Sequence, residues 1–328
     1  MQTFSKMKFK TLLFILLTIP FFASGQAMKG KTSRKKGGGF STGKKKPRKE
    51  YVVGIGVANF LGDLGGANQI GTHFVKDLEL SMTRPSVAIG MRYKFNKRMA
   101  VKGGFYYQLV SGYDKLTKEQ FRMNRNLAFR SSLYELSVQA EFYFTKEQQG
   151  HLYKIKNAKG MKSYDFQGYI FLGFGGLYFN PKANYNGRWE ALQPLGTEGQ
   201  GLPGGPKKYK RITACIPYGL GVKEGLNKDW SIGLEVGMRY TFSDYIDDVS
   251  SNYYDNAAIK TANGQMAADL ADPSLYKMPP ELGGDNTDSW QSAPGQQRGN
   301  PKDKDAYMFI NITISYKMPY KRRTRSKF

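Results

Sequence analysis

Apolar and polar residues alternate one by one along eight stretches of this chain, the period-two pattern of strands with one apolar face. The clearest is Tyr134 to Phe144. Tyr134, Leu136, Val138, Ala140, Phe142 and Phe144 share one face, and Glu135, Ser137, Gln139, Glu141 and Tyr143 share the other. Val87, Ile89, Met91, Tyr93 and Phe95 likewise oppose Ser86, Ala88, Gly90, Arg92 and Lys94. Similar rows run through Val101–Leu109, Trp230–Phe242 and Met308–Tyr316, with noisier ones over Tyr51–Asn59, Phe166–Tyr178 and Ile212–Lys223. Each approaches the ~9–11 residues a tilted bilayer-crossing strand needs, and the number is even. The pattern predicts an all-β fold: an eight-stranded antiparallel transmembrane β-barrel over 51–317.

Two details separate a lipid-facing barrel from a soluble sandwich. Arg92, Lys102, Glu135, Glu141, Lys223, Glu235 and Arg239 fall mid-strand on the polar face, with mixed signs. An eight-stranded barrel is too narrow for an aqueous channel, so these charges are expected to pair across the lumen. Aromatics gather at the ends of the apolar rows (Tyr93, Phe95, Tyr134, Phe142, Phe144, Trp230, Tyr240, Phe242, Tyr316), as in an interfacial girdle.

The connections alternate in length. Tight turns fall at Asn96-Lys97 and Asn227-Lys228-Asp229, long ones at 61–85, 110–130, 180–209 and 243–304, and one further connection, about 146–163, is longer than a normal periplasmic turn. Short turns belong to the periplasmic end of outer-membrane barrels, so both termini are expected in the periplasm. The N-terminus fits export. Lys6, Lys8 and Lys10 precede an apolar run from Leu12 to Phe22 and then Ala23-Ser24-Gly25, which predicts a signal peptide over 1–25.

Charge then gains a direction. The formal net charge is +24, and ten Lys/Arg against Glu50 alone lie in 26–50, with six more basic residues and no acid in 317–328. Both segments read as flexible basic tails, a periplasmic arm over 26–50 and a C-terminal tail over 318–328. Two uses of the arm stay open: a solvated tether resting on lipid headgroups, or a docking arm in which Lys35, Lys36, Lys44, Lys45 and Lys46 meet an acidic periplasmic partner. Nucleic acid is excluded as a partner by export. The lipids of the outer membrane are the expected surroundings.

Candidate chemistry is sparse. The two histidines, His73 and His151, fall in different connections and share no site, which argues against an enzyme and a small-molecule substrate. Cys215 is the lone cysteine and sits within a strand pattern. Asp244, Asp247, Asp248, Asp285, Asn286 and Asp288 match no EF-hand spacing, so neither metal nor cofactor is expected and 243–304 reads as a solvated, disordered acidic loop.

Two local motifs are more specific. Asn59-Phe60-Leu61-Gly62-Asp63-Leu64-Gly65-Gly66 closes the first strand, and Arg125-Asn126-Leu127-Ala128-Phe129-Arg130-Ser131 precedes the fourth. Together they resemble the PorG-like outer-membrane β-barrels of Bacteroidota, associated with the type IX secretion system. The resemblance implies a non-enzymatic barrel that holds the periplasmic ring of that apparatus through its lipoprotein subunit. The alternative is a passive structural or adhesive barrel. Physically, Gly62, Gly65 and Gly66 are expected to give a positive-φ exit from the strand, and Asp63 to pair with Arg125 or Arg130 at the rim. Rim packing and a binding surface are both open for Gly62, Asp63, Gly65, Gly66, Arg125, Asn126 and Arg130.

Overall fold

The computed structural model describes residues 48–64, 80–117, 120–145, 166–227, 229–276 and 291–318. Eight strands close on themselves: β1 (Arg48–Leu61), β2 (Arg84–Lys94), β3 (Met99–Tyr113), β4 (Ala128–Tyr143), β5 (Phe166–Tyr185), β7 (Ile212–Gly225), β8 (Trp230–Thr241) and β9 (Ala306–Lys317). Every neighbouring pair is antiparallel, β1 joins β9, and the β4–β5 pairing completes the ring. The expected barrel is present. A ninth strand, β6 (Arg188–Ala191), stands outside the ring as a short hairpin on the extended end of β5.

Register assigns the faces. Glu50 pairs with Arg92 and with Lys317, so both ends of the barrel sequence emerge at one end, the terminal end. The tight turns lie there, tied by side chains. Asn96 Oδ1 accepts from the amides of Arg98 and Met99, and Asn227 Oδ1 from those of Asp229 and Trp230. The connections 62–83, 114–127, 186–211 and 242–305 collect at the opposite, loop end, whereas 144–165 joins β4 to β5 at the terminal end.

β1 begins three residues before the predicted boundary. Arg48, Lys49 and Glu50 belong to the strand, not to the basic arm, and Glu50 is buried in the lumen. The surrounding cations hid its role in the sequence. The signal segment, the rest of the arm with Lys35, Lys36, Lys44, Lys45 and Lys46, and the tail after Met318 lie outside the described residues.

The connection 242–305 departs most from expectation. Its described part is folded rather than a solvated loop. It carries α3 (Asn256–Asn263) and α4 (Gln265–Ala271), and with α1 (Gln120–Arg125) and α2 (Leu192–Leu195) it caps the loop end. Ile246, Val249, Ile259, Ala267, Ala268 and Ala271 are buried, and so are Asp244, Asp247 and Asp248. Asp255 caps α3 by accepting from the Ala257 amide.

Candidate functional site: a sealed lumen and a belted exterior

The terminal half of the lumen is filled with ion pairs. Arg92 donates from Nε to Glu141 at 2.6 Å, and its two other nitrogens reach Glu50 and Glu235 at 3.3 Å each. Lys102 meets Glu235 at 2.7 Å, and Lys223 meets Glu50 at 2.5 Å. The hydroxyls of Tyr143 and Tyr169 donate to Glu141 and Glu235, each at 2.6 Å. One layer further, Arg239 Nε donates to Glu135 at 2.8 Å and its guanidinium lies 4.0 Å over the Phe309 ring. These strands bring together all seven charges expected in the lumen, Arg92, Lys102, Glu135, Glu141, Lys223, Glu235 and Arg239, and add Glu50. Each carboxylate is met by a cation, which burial in so narrow a space demands.

Above this network the interior turns apolar. Phe60 and Phe129 meet edge to face at 4.8 Å, and Leu133, Leu177, Phe179, Val110 and Cys215 complete the layer. Leu64, Leu127, Ile246 and Val249 from the connections continue the same core, so the cap is a stopper seated in the barrel mouth. Tyr209 stacks between Phe179 and Tyr245, at 6.2 and 4.5 Å. Cys215 is buried there as a packing residue.

Buried carboxylates stitch the cap together. Glu198, on the glycine-rich turn after α2, accepts from the amides of Ser250 and Ser251 and from Arg298 at 3.0 Å. Asp248 accepts from Thr197 and Tyr209, Asp247 from the amides of Leu64 and Val249, and Asp305 from that of Ile246. Burial pushes Asp244 and Asp248 up to about 6, and Asp63, Asp247 and Asp305 are raised by burial as well. Among the described residues no group has the arrangement of a metal site. Glu198 and Arg298 were missed in the sequence. The only local signal for Glu198 is its place among Gly196, Gly199 and Gly201, three positive-φ glycines.

The rim motifs are integral to this cap. Arg125 does not pair with the Asp63 carboxylate. Its guanidinium grips Asp114 at 2.7 and 2.9 Å and donates to the Asp63 carbonyl at 3.1 Å. The Asp63 carboxylate accepts from the Asn300 amide at 2.6 Å, and Arg130 lies 4.2 Å over the Trp189 ring. Arg130 sits on the outward row of β4, which keeps it from Asp63. Asn126 takes the left-handed turn after α1 and donates to the Pro273 carbonyl. Gly62 has no positive φ; glycine is needed because a Cβ would strike the Asp305 carboxylate and the Phe60 ring. Gly65, Gly66, His73, His151, Asp285, Asn286 and Asp288 lie outside the described residues.

Outside, the alternate rows are bare and apolar. Ile55, Leu136, Val138, Phe174, Leu220 and Ile312 are each more than half exposed. Trp230 and Tyr316 pair at 4.9 Å near the terminal end, and Tyr107, Tyr134 and Tyr178 form a chain toward the loop end. From Trp230 to Tyr240, at ~3.3 Å per residue and ~40° of tilt, the belt is about 25 Å tall, the height of the apolar band on bilayer-spanning barrels. No water-facing surface carries so large an apolar area, so fold and belt define a membrane-spanning β-barrel.

No protein-family model and no curated protein matches the chain. Similar solved structures are small outer-membrane proteins. They include the attachment invasion locus protein Ail of Yersinia pestis (11% identity, 83% of this chain and 99% of that chain, TM-score 0.34). Neisserial surface protein A (7%, 83% and 97%, 0.33) and OprG of Pseudomonas aeruginosa (9%, 84% and 98%, 0.30) are others.

Proposed function

We propose that the protein is a non-enzymatic outer-membrane barrel that works as a sealed anchor, with its loop end outside and both termini in the periplasm. The observation that carries this is the interior among the described residues, filled by an ion-paired half and an apolar half stoppered by the cap. What such a barrel offers is a fixed point in the membrane with two tails on one side. The resemblance of Asn59–Gly66 and Arg125–Ser131 to PorG-like barrels supplies the assembly to be held, the periplasmic ring of type IX secretion, through its lipoprotein subunit. The basic arm, with Lys35, Lys36 and Lys44 to Lys46, is the proposed contact.

Affinity capture of tagged protein from detergent-solubilised envelopes tests this, with and without residues 27–46. Ring lipoprotein recovered with the full chain and lost with the deletion supports the arm as the contact. Equal recovery from both sinks the arm's role, and no recovery from either sinks the ring reading. A second reading draws on the folded cap, whose helices α3 and α4 pack around a core of their own, Ile259, Ala267 and Ala271, apart from that of the barrel: an adhesive barrel, whose cap meets partners outside the cell. Replacing 243–304 by a short linker then abolishes surface attachment and spares secretion.

A further inference from the structure

The outward rows of β4, β5 and β7 change character abruptly at the loop-end girdle. On β7 the row Val222, Leu220, Tyr218, Ile216 ends at Ile212, which is 71% exposed. Continued past the strand, the same alternation brings Lys210 and then Lys208 to the surface, while Tyr209 between them turns inward onto Phe179 and Tyr245. On β5 the row Phe174, Gly176, Tyr178 continues to Asn180 and Lys182, and on β4 the row above Tyr134 reaches Arg130, the register partner of Lys182. Arg211 leans across the same face, 5.7 Å over the Tyr178 ring and donating to Asn180 Oδ1 at 3.2 Å.

Four cations, Arg130, Lys182, Lys208 and Lys210, therefore stand two to four residues past the girdle on lipid-facing rows, about 5–10 Å above it along the axis, and Arg211, off the row, leans in beside them. Lys182, Lys208 and Lys210 form no ion pair among the described residues. Glu190 on β6 pairs in register with inward-facing Ala183 and so sits on the face opposite Lys182. Two other rim cations are engaged by backbone: Arg84 donates to the carbonyls of Ser81 and Thr83, and Lys304 to that of Pro301.

We propose that this shelf of Arg130, Lys182, Lys208, Lys210 and Arg211 holds the phosphorylated headgroup of a glycolipid in the leaflet around the loop end. The placement carries the choice of a lipid. A cation continuing an acyl-facing row, as Lys182 and Lys210 do, has its stem toward hydrocarbon and its charge at headgroup depth, while the stem of Lys208 lies over Gly201 of the cap. A protein docking from outside would instead meet the top of the cap. Phosphate is the group that a set of unpaired lysines beside arginine recognises.

The inference rests on the membrane-barrel reading, and one experiment separates the two. Full-length protein is folded into neutral phosphatidylcholine vesicles with or without lipid A, extracted gently, and weighed with bound lipid by native mass spectrometry. Wild type retains lipid A in preference to phosphatidylcholine and to dephosphorylated lipid A. Lys182→Gln, Lys208→Gln and Lys210→Gln each lower retention by about fivefold, with heat-modifiable mobility intact. Retention that ignores the phosphate, or that survives the triple variant, overturns the shelf and leaves the barrel standing. Failure of wild type to fold in phosphatidylcholine overturns both.

Discussion

Lys223 on β7 reaches Glu50 on β1 at 2.5 Å, spanning the lumen between strands that are not neighbours in the sheet. Arg92 shares the same carboxylate, so Glu50 is the point at which two cations from different walls are neutralised. Glu50→Gln leaves Lys223 without its carboxylate and takes one of three from Arg92, which keeps Glu141 and Glu235. The expected loss is about 3–5 kcal/mol, the usual result of removing one member of a buried ionic group. Urea midpoints in detergent micelles read it, and an unchanged midpoint would contradict the role given to Glu50.

Arg298 joins Glu198 to the carbonyl of Asp248, and hence one connection to another. Arg298→Met is expected to free the cap without opening the strands. Limited proteolysis should then cut within 251–276 while the barrel keeps its compact electrophoretic mobility. Protection equal to wild type would show that the cap does not depend on this arginine.

The cap should respond to pH in a defined sense. Asp244 and Asp248 are pushed up to about 6 in the folded cap by burial, above their ordinary value of 3.8. Folding therefore favours their protonated forms. That contribution is complete below pH ~4 and is lost as pH rises through ~6. Hydrogen exchange of the Ser250 and Ser251 amides should be slower at pH 5 than at pH 7.5 after correction for intrinsic rates. The opposite order would refute the shift.

Two glycines should behave differently. A Cβ on Gly219 would collide with the Val236 carbonyl and the Phe171 ring, whereas one on Gly176 meets nothing within 4 Å. Gly219→Ala should lower the folding yield in vesicles, because strand and ring would both have to move. Gly176→Ala should fold as wild type. Equal yields would remove the close-approach argument.

The barrel was legible because its information is local: alternation over a dozen residues fixes which side chain meets lipid and which the lumen. The lumen charges Arg92, Lys102, Glu135, Glu141, Glu235 and Arg239 followed from the same parity. Glu50 did not, because ten cations in 26–50 made it look like a stray acid in a tail. The cap was illegible for another reason. Its core uses Ile246, Val249 and small alanines without a period, and its buried aspartates are the residues that otherwise mark solvated loops. Their burial depends on Glu198 and Arg298, partners up to 100 positions apart. The Asp63 pairing failed because Arg125 had a bidentate partner, Asp114, that spacing does not reveal.

The seam between β1 and β9 joins the two ends of the barrel sequence, with Glu50 opposite Lys317. Until the last strand arrives, β1 has an open edge, and the ring of eight is a curled ribbon with unpaired amides on both margins. Closure is thus a step that nascent chain cannot take. The polypeptide must be released whole and kept from pairing with its neighbours before it enters a membrane. A stop codon before β9 should yield an aggregating strip rather than a smaller barrel.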